Sequence, residues 1–358
     1  MIPTVFFLGA GASAADGAPV MSKYIEAIER CFSHRTEWHP IKAALQEYNR
    51  SISHPGKYPA LNDFLTYLDD HVVARKRIDG YDPLTIRFKL LRLMFGRLTE
   101  QERPRPRFTW GQHADVAPMP AFDENDNGGS VSVQPERART PANHRLARLV
   151  ADLGARAVIS TNYDLIFDQA LEDTGVRPDY STGYSRTCEY RRQIRLLKIH
   201  GSVNWLVCSK CGSIGVWGDS YPTQALWAEE RVYQLCPQCR CAEWLDTLVT
   251  PTRRRSQEHL ALNPIWDTAR TELRGAELIM FIGYSLPPED EDVLRLLREG
   301  IDETARVLVV DPSSDTVAHR EDVFGRSRVT PILRPLSTHL WDDPEVRGAL
   351  EKFGLGRS

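Results

Sequence analysis

The segment Thr4-Val5-Phe6-Phe7-Leu8-Gly9-Ala10-Gly11-Ala12-Ser13-Ala14 joins an unbroken apolar run to a glycine-rich turn. An apolar run without polar alternation fits a strand buried on both faces. Apolar residues resume near Val20 and recur at helical spacing as Tyr24, Ile25, Ile28 and Phe32, with Ser22 near the helix start. The order is strand, tight turn, helix. Gly9-x-Gly11-x-x-Ala14 in that position matches the dinucleotide fingerprint, in which glycines let the backbone approach a pyrophosphate at a helix amino terminus. A tight turn with no ligand satisfies the same pattern. The acidic residue expected about 20 residues on is also missing, because Glu26 and Glu29 fall inside the predicted helix, so an ordinary dehydrogenase fits poorly.

Further buried runs follow. Ala157-Val158-Ile159-Ser160 precedes Thr161-Asn162-Tyr163-Asp164, another strand ends at Ile199 before His200-Gly201, and Leu278–Ile282 and Val307–Val310 each end in a glycine or polar turn. Helical segments separate most of them. The pattern predicts an α/β fold with a Rossmann-like parallel sheet and helices on both faces. Such sheets bind ligands just beyond the carboxyl ends of their strands, where Gly9, Asn162, His200, Gly283 and Asp311 stand. Leu61, Phe64, Leu65 and Leu68, then Ile86, Leu90, Leu93 and Met94, give helical faces with no strand between them, which reads as a helical insertion. Residues 101–140 are rich in proline, glycine and polar side chains and read as a mobile loop, with a helix restarting near Pro141.

A net charge of -3 over 358 residues gives no bulk reason to expect nucleic acid or an anionic membrane as partner. Arg253-Arg254-Arg255 is a short basic run of the kind that usually forms a solvated face, so direct nucleic-acid binding is not expected. No stretch approaches the roughly 18 to 20 apolar residues that span a bilayer, and the amino terminus lacks a basic leader. A cytoplasmic protein without membrane contact is expected.

Cys208-x-x-Cys211 and Cys236-x-x-Cys239 are separated by 24 intervening residues, close to the spacing by which four thiolates surround a tetrahedral zinc. Four sulfur ligands leave no open position for water, so such a zinc is structural. Cys241 leaves the identity of the fourth ligand open. Trp205, Trp217, Tyr221, Trp227 and Tyr233 are expected to pack this small module.

Gly9-Ala10-Gly11-Ala12-Ser13, Thr161-Asn162-Tyr163-Asp164, Ile199-His200-Gly201-Ser202, the two Cys-x-x-Cys pairs and Gly283-Tyr284-Ser285 occur in the order found in sirtuins, and the chain resembles that family. The resemblance implies a sirtuin-like NAD-binding domain of residues 1–34, 141–207 and 248–335. Around it stand a helical insertion over 35–140, a zinc-ribbon module over 208–247 and a carboxyl-terminal tail over 336–358. It further implies that Gly9, Ala10, Gly11, Ser13, Thr161, Asn162, Asp164, Gly283, Ser285 and Asp311 surround NAD, with His200 as general base. Asn162 would order water or sugar, and Asp164 the carboxamide. Helix capping by Asn162, a dipole interaction of Asp164 and an Asp-Pro turn at Asp311 are the structural alternatives.

Protein-deacylating sirtuins follow the glycine motif with Pro-Asp-Phe-Arg, where this chain has Pro19-Val20-Met21-Ser22. Their peptide-pairing Val-Val-Phe-Gly is replaced by Leu248-Val249-Thr250-Pro251, and Thr161 stands where a Gln is usual. These departures resemble the sirtuin-like proteins of bacterial anti-phage defence, which hydrolyse NAD. The expected function is therefore an NAD glycohydrolase, regulated through a homo-oligomer or a partner such as an ATPase. An NAD-dependent protein-lysine deacylase and an NAD or ADP-ribose sensor without turnover are the alternatives.

Overall fold

The computed structural model describes residues 2–52, 58–101, 141–182, 192–217, 234–250, 260–288 and 290–355. Its strands in chain order are β1 (Thr4–Leu8), β2 (Ala157–Ser160), β3 (Arg177–Asp179), β4 (Gln193–Lys198), β5 (Trp205–Cys208), β6 (Ile214–Val216), β7 (Trp244–Asp246), β8 (Leu278–Ile282), β9 (Arg306–Val310) and β10 (Val329–Ile332). Seven of them form one parallel sheet in the order β10-β9-β8-β1-β2-β4-β3. The chain builds outward from β1 in both directions, so β1 is the point at which the winding reverses. In open α/β sheets that is where ligand crevices form.

Successive side chains of a strand point to opposite faces, and both faces here are covered. Phe6, Leu8, Val158, Leu196, Met280 and Leu308 face a core closed by Pro141–Asp152, Ile166–Asp173 and Pro344–Lys352. Val5, Phe7, Ile159, Leu197, Phe281 and Val309 face the other, closed by Asn263–Arg274, Glu291–Gly300 and Ser314–Phe324. Continuous burial on both sides is why these strands read as unbroken apolar runs. The carboxyl-terminal segment docks on the first face of the sheet through Leu340, Trp341, Val346 and Leu350.

A separate helical layer comprises Tyr24–Phe32, Trp38–Ser51, Leu61–Val73 and Pro83–Gln101. Its core includes Ile25, Ile28, Trp38, Phe64, Leu68, Ile86 and Leu90, and it reaches Tyr163, Leu165, Val203 and Leu248 of the sheet side. Tyr24–Phe32 packs with this layer. Ser22 does not cap that helix: it lies in a short 3-10 turn, Met21–Lys23, and Lys23 occupies the cap position without a side-chain bond. Through these four side chains the layer packs against the sheet side of the molecule.

Strands β5, β6 and β7 form an antiparallel sheet carrying the cysteines. Its small core is Leu206, Cys208, Cys236 and Trp244, with Trp217 edge-on to Trp244 at 5.0 Å. Trp205 departs from expectation. It is fully buried in the main sheet's second core and meets Tyr180 edge-on at 5.1 Å, because alternation along β5 turns it away from the cysteines. Tyr221, Trp227, Tyr233 and Arg253–Arg255 lie outside the described residues, as does the predicted loop over 101–140 except Gln101, which ends the helix Pro83–Gln101 instead. Among the described residues, no helix is long and apolar enough to cross a membrane.

Candidate functional site

The turns after β1, β2, β4 and β8 lie together at the carboxyl ends of these adjacent strands. Gly9 N–H donates to Ile282 O at 3.1 Å and Gly11 N–H to Gly283 O at 2.8 Å, tying the first turn to the β8 turn. A Cβ on Gly9 would lie 2.6 Å from Tyr284 Cα, and one on Gly11 would lie 2.7 Å from Gly283 Cα. Gly283 has φ +59°, and a Cβ there would sit 2.4 Å from Ala12 N. These glycines are required by the contact of two backbones. Ala10 and Gly11 are half-buried on the five-residue helix Ala10–Ala14, and Ser13 is buried.

Asn162 bridges the first two turns. Its Nδ2 donates to Gly9 O and to Ser13 Oγ, both at 2.9 Å, and its backbone N–H donates to Ser160 Oγ at 3.1 Å. Both amide hydrogens are thus spent inside the protein. Among the described residues Oδ1 receives no hydrogen bond, and this half-buried acceptor suits a hydroxyl or water. Thr161 N–H continues the pattern by donating to Leu8 O at 3.1 Å. Asn162 caps no helix, because the next one begins at Ile166.

Asp164 is the nearby carboxyl. It accepts from Ile166 N–H at 3.1 Å and interacts with Ser13. Burial pushes it above the ordinary carboxylate range against the opposing charge of Lys198, which favours its protonated form relative to an exposed aspartate. His200, 3% exposed, follows β4, and the ring centroids of Tyr163 and Trp266 each lie 6.4 Å from its own. Trp266 is held there by its Nε1–H bond to Ile199 O at 2.9 Å.

The β8 turn is braced from below by Arg320, a fully buried side chain stacked on Phe281 at 4.8 Å and Tyr284 at 5.3 Å. Its Nη2 donates to Tyr284 O at 2.7 Å, and burial draws it down to about 10. Tyr284 in turn donates to Asp290 Oδ2 at 2.6 Å, while Ser285 is exposed at the rim. Asp311 stands at the end of β9, but its Oδ1 accepts from Ser313 N–H at 2.9 Å. That oxygen opens the turn into Ser314–Phe324.

Four sulfurs meet in the antiparallel module. Cys208, Cys211, Cys236 and Cys239 place their Sγ atoms within 4.8 Å of one another, with Cys208–Cys239 at 3.5 Å and Cys211–Cys236 at 3.6 Å. Zinc–sulfur bonds of 2.3 Å in a tetrahedron separate sulfurs by about 3.8 Å, so the donor set fits a structural zinc. Ser213, through its hydroxyl and backbone N–H, draws the Cys211 thiol down to about 6, toward the thiolate a metal needs. Cys241 stands outside the four: its sulfur accepts from Glu243 N–H at 3.4 Å.

Sequence reasoning missed Lys198, Asp168, Tyr180 and Trp266. A lone basic residue inside Leu196-Leu197-Lys198-Ile199 was the available signal, since an ammonium in a buried strand needs a dedicated partner.

A parallel sheet reversing at β1, with a four-cysteine module beside it, defines a Rossmann-like α/β fold with an added metal-type module. Residues 156–332 match the family model described as the SIR2-like domain. Among solved structures, the chain is similar to a Sir2 homologue mutant in complex with 2'-O-acetyl ADP ribose, at 14% identity and a TM-score of 0.47, covering 99% of this chain and 94% of that one. It is also similar to a Sir2 homolog–NAD complex, at 14% identity and a TM-score of 0.46, covering 97% and 90%. No curated protein matches the chain.

Proposed function

We propose that this chain is an NAD glycohydrolase that cleaves NAD to nicotinamide and ADP-ribose at the converged turns, with Asn162, Asp164 and His200 as its catalytic residues. Breaking the bond between the nicotinamide nitrogen and the ribose C1′ sends the electron pair to a neutral leaving group and leaves oxocarbenium-like charge on the sugar. Little acid assistance is needed. Asp164 orients the carboxamide, and the Oδ1 of Asn162 receives a ribose hydroxyl or the attacking water. His200 takes the proton that water loses as its oxygen bonds to C1′. The pyrophosphate lies along Gly9, Ala10, Gly11 and Ser13, with Thr161, Gly283, Ser285 and Asp311 completing the nucleotide's surroundings. The zinc held by the four cysteines supplies rigidity only.

The observation that carries hydrolysis over deacylation concerns Val249. Its N–H donates to His200 O at 3.0 Å and its carbonyl accepts from Tyr163 OH. Next to it, Arg87 of the helical layer is paired with Asp69 at 2.8 Å and donates to Thr250 Oγ1 at 2.8 Å. The segment that pairs with an acyl-lysine peptide in deacylases is therefore bonded internally at Val249, which favours water as the nucleophile.

Following the sirtuin-like defence proteins it resembles, the enzyme acts in the cytoplasm as a regulated NAD-depleting effector against phage. A homo-oligomer or a partner ATPase holds it in check. Methanol tests the nucleophile: an acceptor site open to solvent yields O-methyl ADP-ribose from NAD alone, whereas a strict need for an acylated peptide overturns the proposal.

A further inference from the structure

Lys198 ends β4 with its side chain 1% exposed, and an ammonium so buried needs partners for its hydrogens. It donates to Asp164 O, to Tyr163 O at 3.4 Å and to Asp168 Oδ2 at 3.2 Å. All three acceptors belong to the turn and helix that follow Asn162. Two are the backbone carbonyls of the residues directly after it. Holding those carbonyls fixes the two peptide planes that flank Asp164, beginning one residue after Asn162.

The surroundings support the same assignment. Tyr180 OH donates to the other oxygen of Asp168 at 2.7 Å, which fixes the carboxylate that the ammonium meets. Tyr163 O also accepts Val203 N–H at 3.0 Å and lies 3.4 Å from Ser202 Oγ, which donates to Asn204 at 2.7 Å. The titratable groups facing this cluster are Asp164, Asp168, Tyr180 and Glu172. A buried ion pair kept for stability alone is replaceable by apolar groups at little cost. A cation that also holds two carbonyls of the functional turn is not.

We propose that Lys198 is a positioning residue for cleavage of the nicotinamide–ribose bond, clamping the Asn162–Asp164 turn through the carbonyls of Tyr163 and Asp164. The proposal rests on the NAD-cleaving reading above, and the test separates the two. Lys198→Met alone strands the Asp168 carboxylate in the core, so the decisive variant is Lys198→Met with Asp168→Asn, which removes both charges and keeps an acceptor for Tyr180 OH. In the full chain, the pair is expected to melt within a few degrees of the parent. Nicotinamide release should nevertheless fall in kcat by at least about tenfold, with KM for NAD changed less than about threefold. Recovery of parental kcat together with parental melting would overturn the clamp and leave Lys198 a counter-charge.

If the double variant does not fold, Lys198→Gln carries the same readouts: one shorter amide cannot hold both carbonyls, so the same loss of kcat is expected, and parental kcat overturns the clamp. If the parent itself releases no nicotinamide, the NAD-cleaving reading fails on its own. Hydrogen exchange of the Asn162 side-chain amide, followed by NMR in parent and variant, then decides: faster exchange in the variant supports the clamp, and unchanged protection overturns it.

Discussion

The side-chain amide of Asn162 donates to the carbonyl of Gly9 at 2.9 Å, joining the turn that follows β2 to the turn that follows β1. With its second hydrogen on Ser13 Oγ, the amide is locked and its oxygen is presented outward. Asn162→Asp replaces two donors with acceptors facing a carbonyl. It should lose nicotinamide release by at least about 100-fold and destabilise the fold by about 1 to 3 kcal/mol, as expected for a buried acceptor left unsatisfied. Steady-state kinetics and urea denaturation measure both. Activity within a few-fold of the parent would remove Asn162 from the chemistry.

The Asp164 carboxyl gives a pH dependence of known sign. Unfolded, it titrates near 3.8; folded, burial pushes it upward despite Lys198. The folded state then binds the proton more tightly, so its contribution to stability is full below 3.8 and is lost as pH rises through the folded-state value. Asp164→Asn removes that titration. Its melting temperature, compared with the parent from about pH 4 to about pH 7, should shift progressively in the variant's favour. A difference that is flat or runs the other way contradicts the assignment.

Gly283 adopts φ +59°, with its missing Cβ aimed at Ala12 N at 2.4 Å. Gly283→Ala incurs the left-handed backbone penalty and forces the first turn away from β8. Urea denaturation should show a loss of at least about 2 kcal/mol. NAD affinity should fall with it, since both turns lie at the same strand ends. A loss under about 0.5 kcal/mol would mean that the two turns separate freely.

The cysteine module should hold one zinc per chain by native mass spectrometry. Cys236→Ser should lose it and lower the melting temperature, because Cys236 is fully buried in the module's small core. Cys241→Ser should retain it, as that sulfur stands outside the four-sulfur cluster. Zinc loss on Cys241→Ser would reassign the ligand set.

The central strands were legible because they are buried on both faces: residues 5–8 and Leu278–Ile282 have no polar position to disguise them. Strand ends and the cysteine spacing were legible for the same local reason. What the residues did not disclose depends on pairing across long stretches of chain. Lys198 meets Asp168 thirty positions away, Trp266 meets His200 from a different helix, and the order of the seven strands arises from crossovers. Gly9 and Gly11 signalled a close approach, but only the fold shows the backbone of Gly283 filling that space. The cap at Ser22 failed because a 3-10 turn intervenes before the helix.

The most direct test of the proposed NAD cleavage is chromatography of NAD incubated with the purified full chain and no peptide. Nicotinamide and ADP-ribose are expected in equal amounts, with His200→Ala and Asn162→Ala each reducing both by at least about 100-fold. Nicotinamide released only in the presence of an acylated peptide, alongside an O-acylated ADP-ribose, would contradict it, as would NAD held tightly and recovered intact.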